Sequence, residues 1–304
     1  LGIVLIDGNN ELINYPLHRL DIAAASDNIT CLIYTSGSSG TPKGVKLGNK
    51  GLVNRMFWMW NKYPVEKNET WVLKTSIGFV DHIWELFGAL ASGVRLLLIK
   101  RDELLDLSFF TKRLYENKIS RIVLVPSLLD FLLKNLQKEA LYLKSLKYCI
   151  CSGENLSKAL THEFYKQFPF NKHKLLNIYG STEVSADATC YDTSIDFGKC
   201  NQLTDNRLRV PIGQPISNTQ IRILDKRNSL CPIGVFGEIC VSGEGLAIGF
   251  NNLPSLWDEK IIADPLGSNK NRKLFKTGDL GRWLPDGNLS LIHISEPTRL
   301  RRSS

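Results

Sequence analysis

Arg121-Ile-Val-Leu-Val-Pro-Ser-Leu-Leu-Asp-Phe-Leu-Leu-Lys-Asn-Leu136 decides the fold class. After Arg121, residues 122–125 form a largely β-branched, apolar run that completes a strand halted by Pro126, and the remainder spaces its leucines as one face of a helix. A continuous apolar strand followed by an amphipathic helix is the repeating unit of a largely parallel sheet covered on both faces. The alternation extends outward over residues 70–177. Upstream, Ser108 precedes Phe109, Leu114 and Ile119 on a predicted helix. Downstream, 146–151 reads as a strand, Ser157 caps a helix running to Phe168, and 174–178 reads as the next strand. After about Val210 the texture changes to short β-like runs, 219–224 and 237–241, separated by Gly, Pro, Asn and Asp turns. The expected class is α/β, with a parallel-rich α/β part over 1–209 and a smaller, mostly β subdomain over 210–292. Residues 287–292 read as a last strand. Residues 293–304 lose all apolar periodicity and read as a non-native or disordered tail. At the other end, Leu1 to Asp7 is a strand-like run without signal-peptide architecture.

Composition narrows the function classes. The 304 residues are 43% hydrophobic and 22% charged, enough for a full-sized core and outside the disordered and collagen-like ranges. No stretch approaches the roughly 20 consecutive apolar residues that span a bilayer, so no membrane partner is expected. The formal charge is +8, of which the last twelve residues supply +2. The remainder is scattered and shows no basic stripe interleaved with aromatics, which argues against a nucleic-acid partner. Seven cysteines, odd in number and mostly in apolar runs, do not read as a disulfide framework and point to a reducing, cytoplasmic setting. Cys149 and Cys151 are spaced C-x-C, and the five histidines do not gather near them, so a zinc site lacks ligands.

Tyr34-Thr-Ser-Gly-Ser-Ser-Gly-Thr-Pro-Lys-Gly-Val45, entered from the apolar Cys31-Leu-Ile33, is the strongest chemical signal. Its glycines permit close backbone approach, its hydroxyls donate hydrogen bonds and Lys43 adds a cation, which together make an anion-binding loop suited to phosphates. It is not a Walker loop, because Lys43 is followed by Gly44 rather than by a magnesium-holding Ser or Thr. A Gly/Ser linker is the plain alternative, but linkers seldom follow a strand and end in Pro-Lys-Gly.

The segment resembles the signature loop of the adenylate-forming superfamily, which includes nonribosomal peptide synthetase adenylation domains, acyl-CoA synthetases and luciferases. Four more segments agree in order and spacing: Ser152-Gly-Glu154, Asn177-Ile-Tyr-Gly-Ser-Thr-Glu183, Gly237-Glu-Ile-Cys-Val-Ser-Gly243 with Gly249, and Lys276-Thr-Gly-Asp-Leu-Gly-Arg-Trp-Leu-Pro-Asp-Gly287. The resemblance covers essentially residues 29–292. It implies ATP-dependent activation of a carboxylate as its adenylate, with release of pyrophosphate and with Mg2+ as the accompanying ion. Both reactants are anions, so such a site must neutralise charge and hold the attacking oxygen in line.

Carried over residue by residue, the resemblance assigns Thr35, Ser36, Gly37, Ser38, Ser39, Gly40, Thr41 and Lys43 to the phosphates. Gly153, Glu154 and Tyr179 would wall the adenine slot, and Asn177, Gly180, Ser181 and Thr182 would complete the nucleotide site, with Thr182 toward the α-phosphate. Asp279 would accept from the ribose hydroxyls. Glu183 is the implied magnesium ligand, a hard oxygen donor for a hard cation, and Lys43, Thr182 and Glu183 are the implied catalytic residues. Taken singly, Glu183 reads equally as a surface acid, Asp279 as a turn former and Tyr179 as core.

For the acid substrate, Ile77-Gly-Phe-Val-Asp-His-Ile-Trp-Glu-Leu-Phe87 resembles the motif in which α-amino-acid enzymes place an aspartate directly after the first Phe. Here that slot is Val80, and the aspartate follows at Asp81. The implied pocket is Val80, Asp81, Trp84, Val123, Ile150, Ser152, Ile178, Ala186 and Asp187, similar to β-alanine-activating members, whose substrate carries its ammonium one carbon farther from the carboxylate. Asp81 and Asp187 are expected to share that ammonium in an otherwise apolar pocket. The implied function is activation of an amino acid, β-alanine, for transfer to a carrier-domain thiol, bearing phosphopantetheine on a downstream domain, or to an amine. The rivals are an acyl-CoA synthetase for another acid and a non-catalytic nucleotide-binding module. The family's first elements, its small C-terminal domain and the catalytic lysine of that domain have no counterpart in this sequence, which therefore reads as a truncated core.

Overall fold

Seven strands build the central sheet, in the order Arg95–Leu98, Thr70–Leu73, Arg121–Leu124, Tyr148–Cys151, Lys174–Tyr179, Thr189–Asp192, Gln214–Pro215. The first five are mutually parallel, the sixth is antiparallel to the fifth, and the seventh is antiparallel to the sixth. The computed structural model of the chain describes residues 25–36, 42–138, 142–197, 210–266 and 272–293. The expectations for residues 1–7, for Gly37, Ser38, Ser39, Gly40 and Thr41, and for the tail beyond His293 lie outside them.

The α/β expectation holds. All four residues of Arg121–Leu124 are buried, as a strand covered on both faces requires. Ile122 and Leu124 face one core, with Cys149, Cys151 and Leu175, while Val123 faces another with Ile150, Leu176 and Ile178. This is the period-two pleat in operation. The helix Pro126–Lys138 buries Leu129, Leu132, Leu133 and Leu136, one apolar face at helical spacing, against the first of these cores. Ser157 caps the helix Lys158–Gln167 as expected, accepting from the Leu160 N–H. One cap differs. The helix Leu107–Glu116 begins a residue before Ser108, because the Asp106 carboxylate takes the Phe109 N–H. Ile119 then lies beyond that helix, in the turn leading into Arg121–Leu124.

The smaller part is a five-stranded antiparallel sheet of Thr219–Leu224, Gly237–Gly243, Lys273–Trp283 and Ile261–Ala263, with Leu289–His293 also paired to Lys273–Trp283. A third sheet joins the hairpin Ile29–Thr35 and Lys43–Gly48 to the distant Gly249–Phe250. Ile33, Val45 and Leu47 of that hairpin share one core with Ile221, Ile239 and Phe275. Among the described residues no helix is long and apolar enough to cross a membrane, and six cysteines are free.

Candidate active site

In a parallel sheet, ligands collect at the carboxyl ends of the strands, where the chain leaves the sheet and backbone groups are free. Four segments meet at that edge. Residues 75–81 follow Thr70–Leu73, Val125 follows Arg121–Leu124, Ser152-Gly-Glu154 follows Tyr148–Cys151, and Gly180 to Glu183 follow Lys174–Tyr179.

The last of these is a tight turn. Thr182–Val184 is one turn of 3-10 helix, after which Ser185 and Ala186 adopt positive φ of 57° and 81°. Such angles in non-glycine residues cost on the order of 1–3 kcal/mol each and persist where the surroundings over-determine them. The surroundings here are visible. The Ala186 N–H donates to the Ser181 carbonyl and the Ala188 N–H to the Tyr179 carbonyl, while the Ser185 hydroxyl donates to the Gly245 carbonyl. Gly180 lies so close beneath the turn that a Cβ would stand 1.9 Å from the Ala186 oxygen. The turn therefore brings Thr182 and Glu183 close to Ala186 and Asp187. The Ser181 hydroxyl is buried without a hydrogen-bond partner.

The nucleotide assignments fall into three groups. Thr35 and Lys43 are register partners at the loop end of their hairpin, with Ser36 exposed beyond them and the Lys43 ammonium 5.8 Å from the Phe250 ring centroid. A cation at the loop end of the hairpin suits the anion-binding expectation. Tyr179 and Asp279 are joined, the phenol donating to the carboxylate at 2.8 Å, and burial together with Asp279 pushes the Tyr179 hydroxyl pKa well up, so it stays a donor. Asn177 and Glu154 have structural partners. The Asn177 amide donates to the Pro211 carbonyl, and the Glu154 carboxylate caps the helix Pro126–Lys138 by accepting from the Ser127 N–H and hydroxyl, both at 3.0 Å. Gly153 adopts φ +79°, which turns the chain away from the sheet.

The acid-pocket assignments come together on one side of the sheet. Val123 and Ile150 are register partners, and Ile178 lies two residues beyond Leu176, the partner of Ile150. They pack with Trp84, while Val80 and Ala186 belong to the neighbouring core. Trp84 opens a π-helical turn, Trp84–Gly88, a geometry that often accompanies functional positions. Glu85 of that turn is buried and accepts from the N–H groups of Lys74 and Thr75, from the Thr75 hydroxyl and from the Lys74 ammonium. These four bonds anchor the segment that presents Asp81.

The two acids are not alone. Arg55, on the helix Asn49–Lys62, is buried between them, with Nε 2.5 Å from Asp187 Oδ2 and Nη2 3.8 Å from Asp81 Oδ1. Its guanidinium lies over the Trp84 ring at 4.6 Å. The expectation of two carboxylates in an otherwise apolar pocket is corrected accordingly: a third charge of opposite sign is built in. Burial pushes the Asp187 carboxyl up to about 6, against the downward pull of Arg55 and with a smaller upward push from Asp81. The acids also differ in access. The Asp81 side chain is 24% exposed and accepts from the Ser152 hydroxyl at 3.3 Å, whereas that of Asp187 is 1% exposed. A signal for Arg55 existed in the sequence, a lone charge inside Leu52-Val-Asn-Arg-Met-Phe-Trp-Met-Trp60. An open cleft of about 880 Å³ lies elsewhere, lined by Lys50, Asn218, Gln220 and Glu244 among others, and contains none of the predicted site residues.

Comparison with known proteins adds four findings. The profile of a family described as "AMP-binding enzyme" matches residues 7–250. Tyrocidine synthase 3 of Brevibacillus parabrevis is 33% identical over 274 residues, 90% of this chain and 4% of that protein. The beta-alanyl-bioamine nonribosomal peptide synthetase ebony of Drosophila melanogaster is 39% identical over 267 residues, 86% of this chain and 30% of that protein. The chain thus spans less than a third of these relatives. In fold it is similar to NpsA-ThdA, an artificially fused adenylation-PCP di-domain from Klebsiella oxytoca, with a TM-score of 0.79 at 21% identity over 94% of this chain and 55% of that one.

Proposed function

The chain belongs to the AMP-binding enzymes, and from that premise we propose that its protein activates β-alanine as the aminoacyl-adenylate, releasing pyrophosphate, for transfer to a carrier-domain thiol or to an amine. The observation that carries the substrate is the displaced acid. Val80 is buried in the slot where the family motif puts its aspartate, and Asp81, one residue on, keeps a partly exposed carboxylate at the carboxyl edge of the sheet. The likeness to ebony supports the same substrate, and the likeness to an adenylation-PCP di-domain supports a carrier acceptor.

The donor set suits magnesium and a polyphosphate. Glu183 offers a carboxylate with part of its surface open, Thr182 and Ser181 offer hydroxyls beside it, and the buried Ser181 oxygen lacks any partner of its own. Magnesium held by one carboxylate and by phosphate oxygens would neutralise charge on the leaving pyrophosphate. In this reading Lys43 and the hydroxyls of Thr35 and Ser36 draw the terminal phosphates to the loop end of the hairpin, and Thr182 donates toward the α-phosphate. Asp279, oriented by Tyr179, accepts from the ribose. Asp81 holds the substrate ammonium, which points the carboxylate away from the apolar wall of Val123, Ile150 and Trp84 toward the nucleotide.

Pyrophosphate–ATP exchange in the intact protein tests this. We expect exchange that depends on β-alanine and on magnesium, is weaker with L-alanine and with propionate, and drops at least about a hundredfold in Glu183→Ala. A better rate with L-alanine would refute the substrate assignment, and exchange unaffected by Glu183→Ala would refute the metal assignment.

A further inference from the structure

We propose that Arg55 is a specificity-determining residue that cancels the charge of Asp187, so that the acid pocket presents one net negative charge, carried by Asp81, to a substrate bearing a single ammonium. The inference rests on the β-alanine reading above and refines it, because that reading leaves open whether both acids or one of them meets the substrate.

Three observations assign the roles. First, the pairing is one-sided. Arg55 Nε is at hydrogen-bond distance from Asp187, while its approach to Asp81 is 3.8 Å, an electrostatic contact without a hydrogen bond. Second, access differs in the same sense, since the acid hydrogen-bonded to Arg55 is closed off from solvent and the more distant one is partly open. Third, Arg55 is itself locked. It is buried, held by its bond to Asp187, and its guanidinium carbon lies 4.6 Å from the Trp84 ring centroid. A guanidinium on an aromatic face keeps its charge and its orientation, which a lysine could not reproduce.

The charge count follows. Two carboxylates and one guanidinium sum to −1, and one ammonium brings the buried cluster to neutrality. Without Arg55 the count would be −2, and β-alanine would leave one buried carboxylate uncompensated, a situation that costs severalfold to several hundredfold in affinity depending on solvent access. Without Asp187 the count would be zero, and Arg55, released from its partner, would compete with the substrate for Asp81. The arrangement therefore also rejects uncharged acids, which would leave Asp81 facing Arg55 alone and desolvated.

The test is a charge-restoring pair of substitutions in the intact protein, read as KM for β-alanine in pyrophosphate–ATP exchange, with KM for ATP measured alongside. Asp187→Asn should raise the β-alanine KM on the order of tenfold to a hundredfold with little change for ATP, since the freed Arg55 takes Asp81. Arg55→Gln should also raise it. The double variant Arg55→Gln with Asp187→Asn removes one charge of each sign, keeps the count at −1, and should bring the β-alanine KM back to within about threefold of wild type. A double variant as impaired as Asp187→Asn alone would show that Asp187 meets the ammonium directly, and would overturn the inference while leaving β-alanine as substrate. Wild-type protein that prefers an acid without an ammonium would overturn the substrate reading and this inference with it. Urea unfolding of the four proteins serves as the folding control: each single variant should be less stable than wild type and the double variant less so than the sum of the two losses, whereas strict additivity would show that the pair is not coupled and would also overturn the inference.

Discussion

The Tyr179 hydroxyl donates a 2.8 Å hydrogen bond to Asp279 across 100 residues of chain. The bond joins the carboxyl end of a strand in the central sheet to a strand of the smaller antiparallel sheet, so two motifs far apart in sequence become one surface. The Asp279 N–H is held in turn by the Thr277 hydroxyl, which donates to the Ile239 carbonyl.

Tyr179→Phe should therefore act through Asp279. Removing the phenol hydroxyl leaves the ring and the core intact but takes one hydrogen bond from the carboxylate. We expect the KM for ATP to rise about three- to tenfold with little change in thermal midpoint, and Asp279→Ala to raise it further, since a hydrogen bond to a charged group contributes about 1.5–3 kcal/mol. Equal effects of the two substitutions on the thermal midpoint, with ATP binding unchanged, would mean that the pair serves packing only.

Gly180→Ala should be the most damaging small substitution in the candidate site. The added methyl would meet the Ala186 oxygen, which is backbone and cannot rotate away. A loss of at least about 2–3 kcal/mol is expected by urea unfolding, as for other overpacked positions. Stability within 0.5 kcal/mol of wild type, by the ordinary tolerance of surface sites, would show that the turn moves easily.

Glu69→Gln should expose the cost of an unpaired buried charge. Arg121 is fully buried, lies between the Trp71 and Tyr148 rings at 4.7 and 4.3 Å, and pairs with Glu69 at 3.2 Å. Burial pulls its pKa down and Glu69 holds it up. Losing that carboxylate should destabilise the protein by about 3–5 kcal/mol, although the pair lies only one ring, Trp71, away from Trp84. An unchanged urea midpoint would contradict the pairing.

The pH dependence follows from Asp187. The groups facing it are Arg55 from the helix Asn49–Lys62, Asp81, and the Cys190 thiol on Thr189–Asp192, which burial pushes up to about 12 and so keeps neutral. As pH falls through about 6, Asp187 gains a proton, Arg55 is left unbalanced, and the β-alanine KM should rise. The double variant at Arg55 and Asp187 should show a flat profile over the same range. For folding the sign is opposite. A carboxyl raised to about 6 from an unfolded value of about 3.9 contributes stability that is present below the unfolded value and is lost as pH rises through about 6.

The α/β class, the alternation of strands and helices and the cap at Ser157 were legible in the sequence, because apolar spacing reports directly which face of each element is buried. The pleat that places Val123, Ile150 and Ile178 on one face follows from the same period. Glu154 and Asn177 read as nucleotide contacts from their motifs, and the fold adds hydrogen bonds of their side chains to Ser127 and Pro211, partners that spacing could not supply.

What the sequence determined by itself was which segments are strands and helices and which loops gather at the carboxyl edge of the sheet, since local pattern and the rule of parallel sheets suffice for that. What only the tertiary structure decided was the polar pairing. Arg55 and Asp187 are 132 residues apart, and nothing in the spacing of either predicts the other. A buried charge must find its counter-charge wherever the fold brings one within a few ångströms, and that distance is a property of the packed helices and strands rather than of the order of residues along the chain.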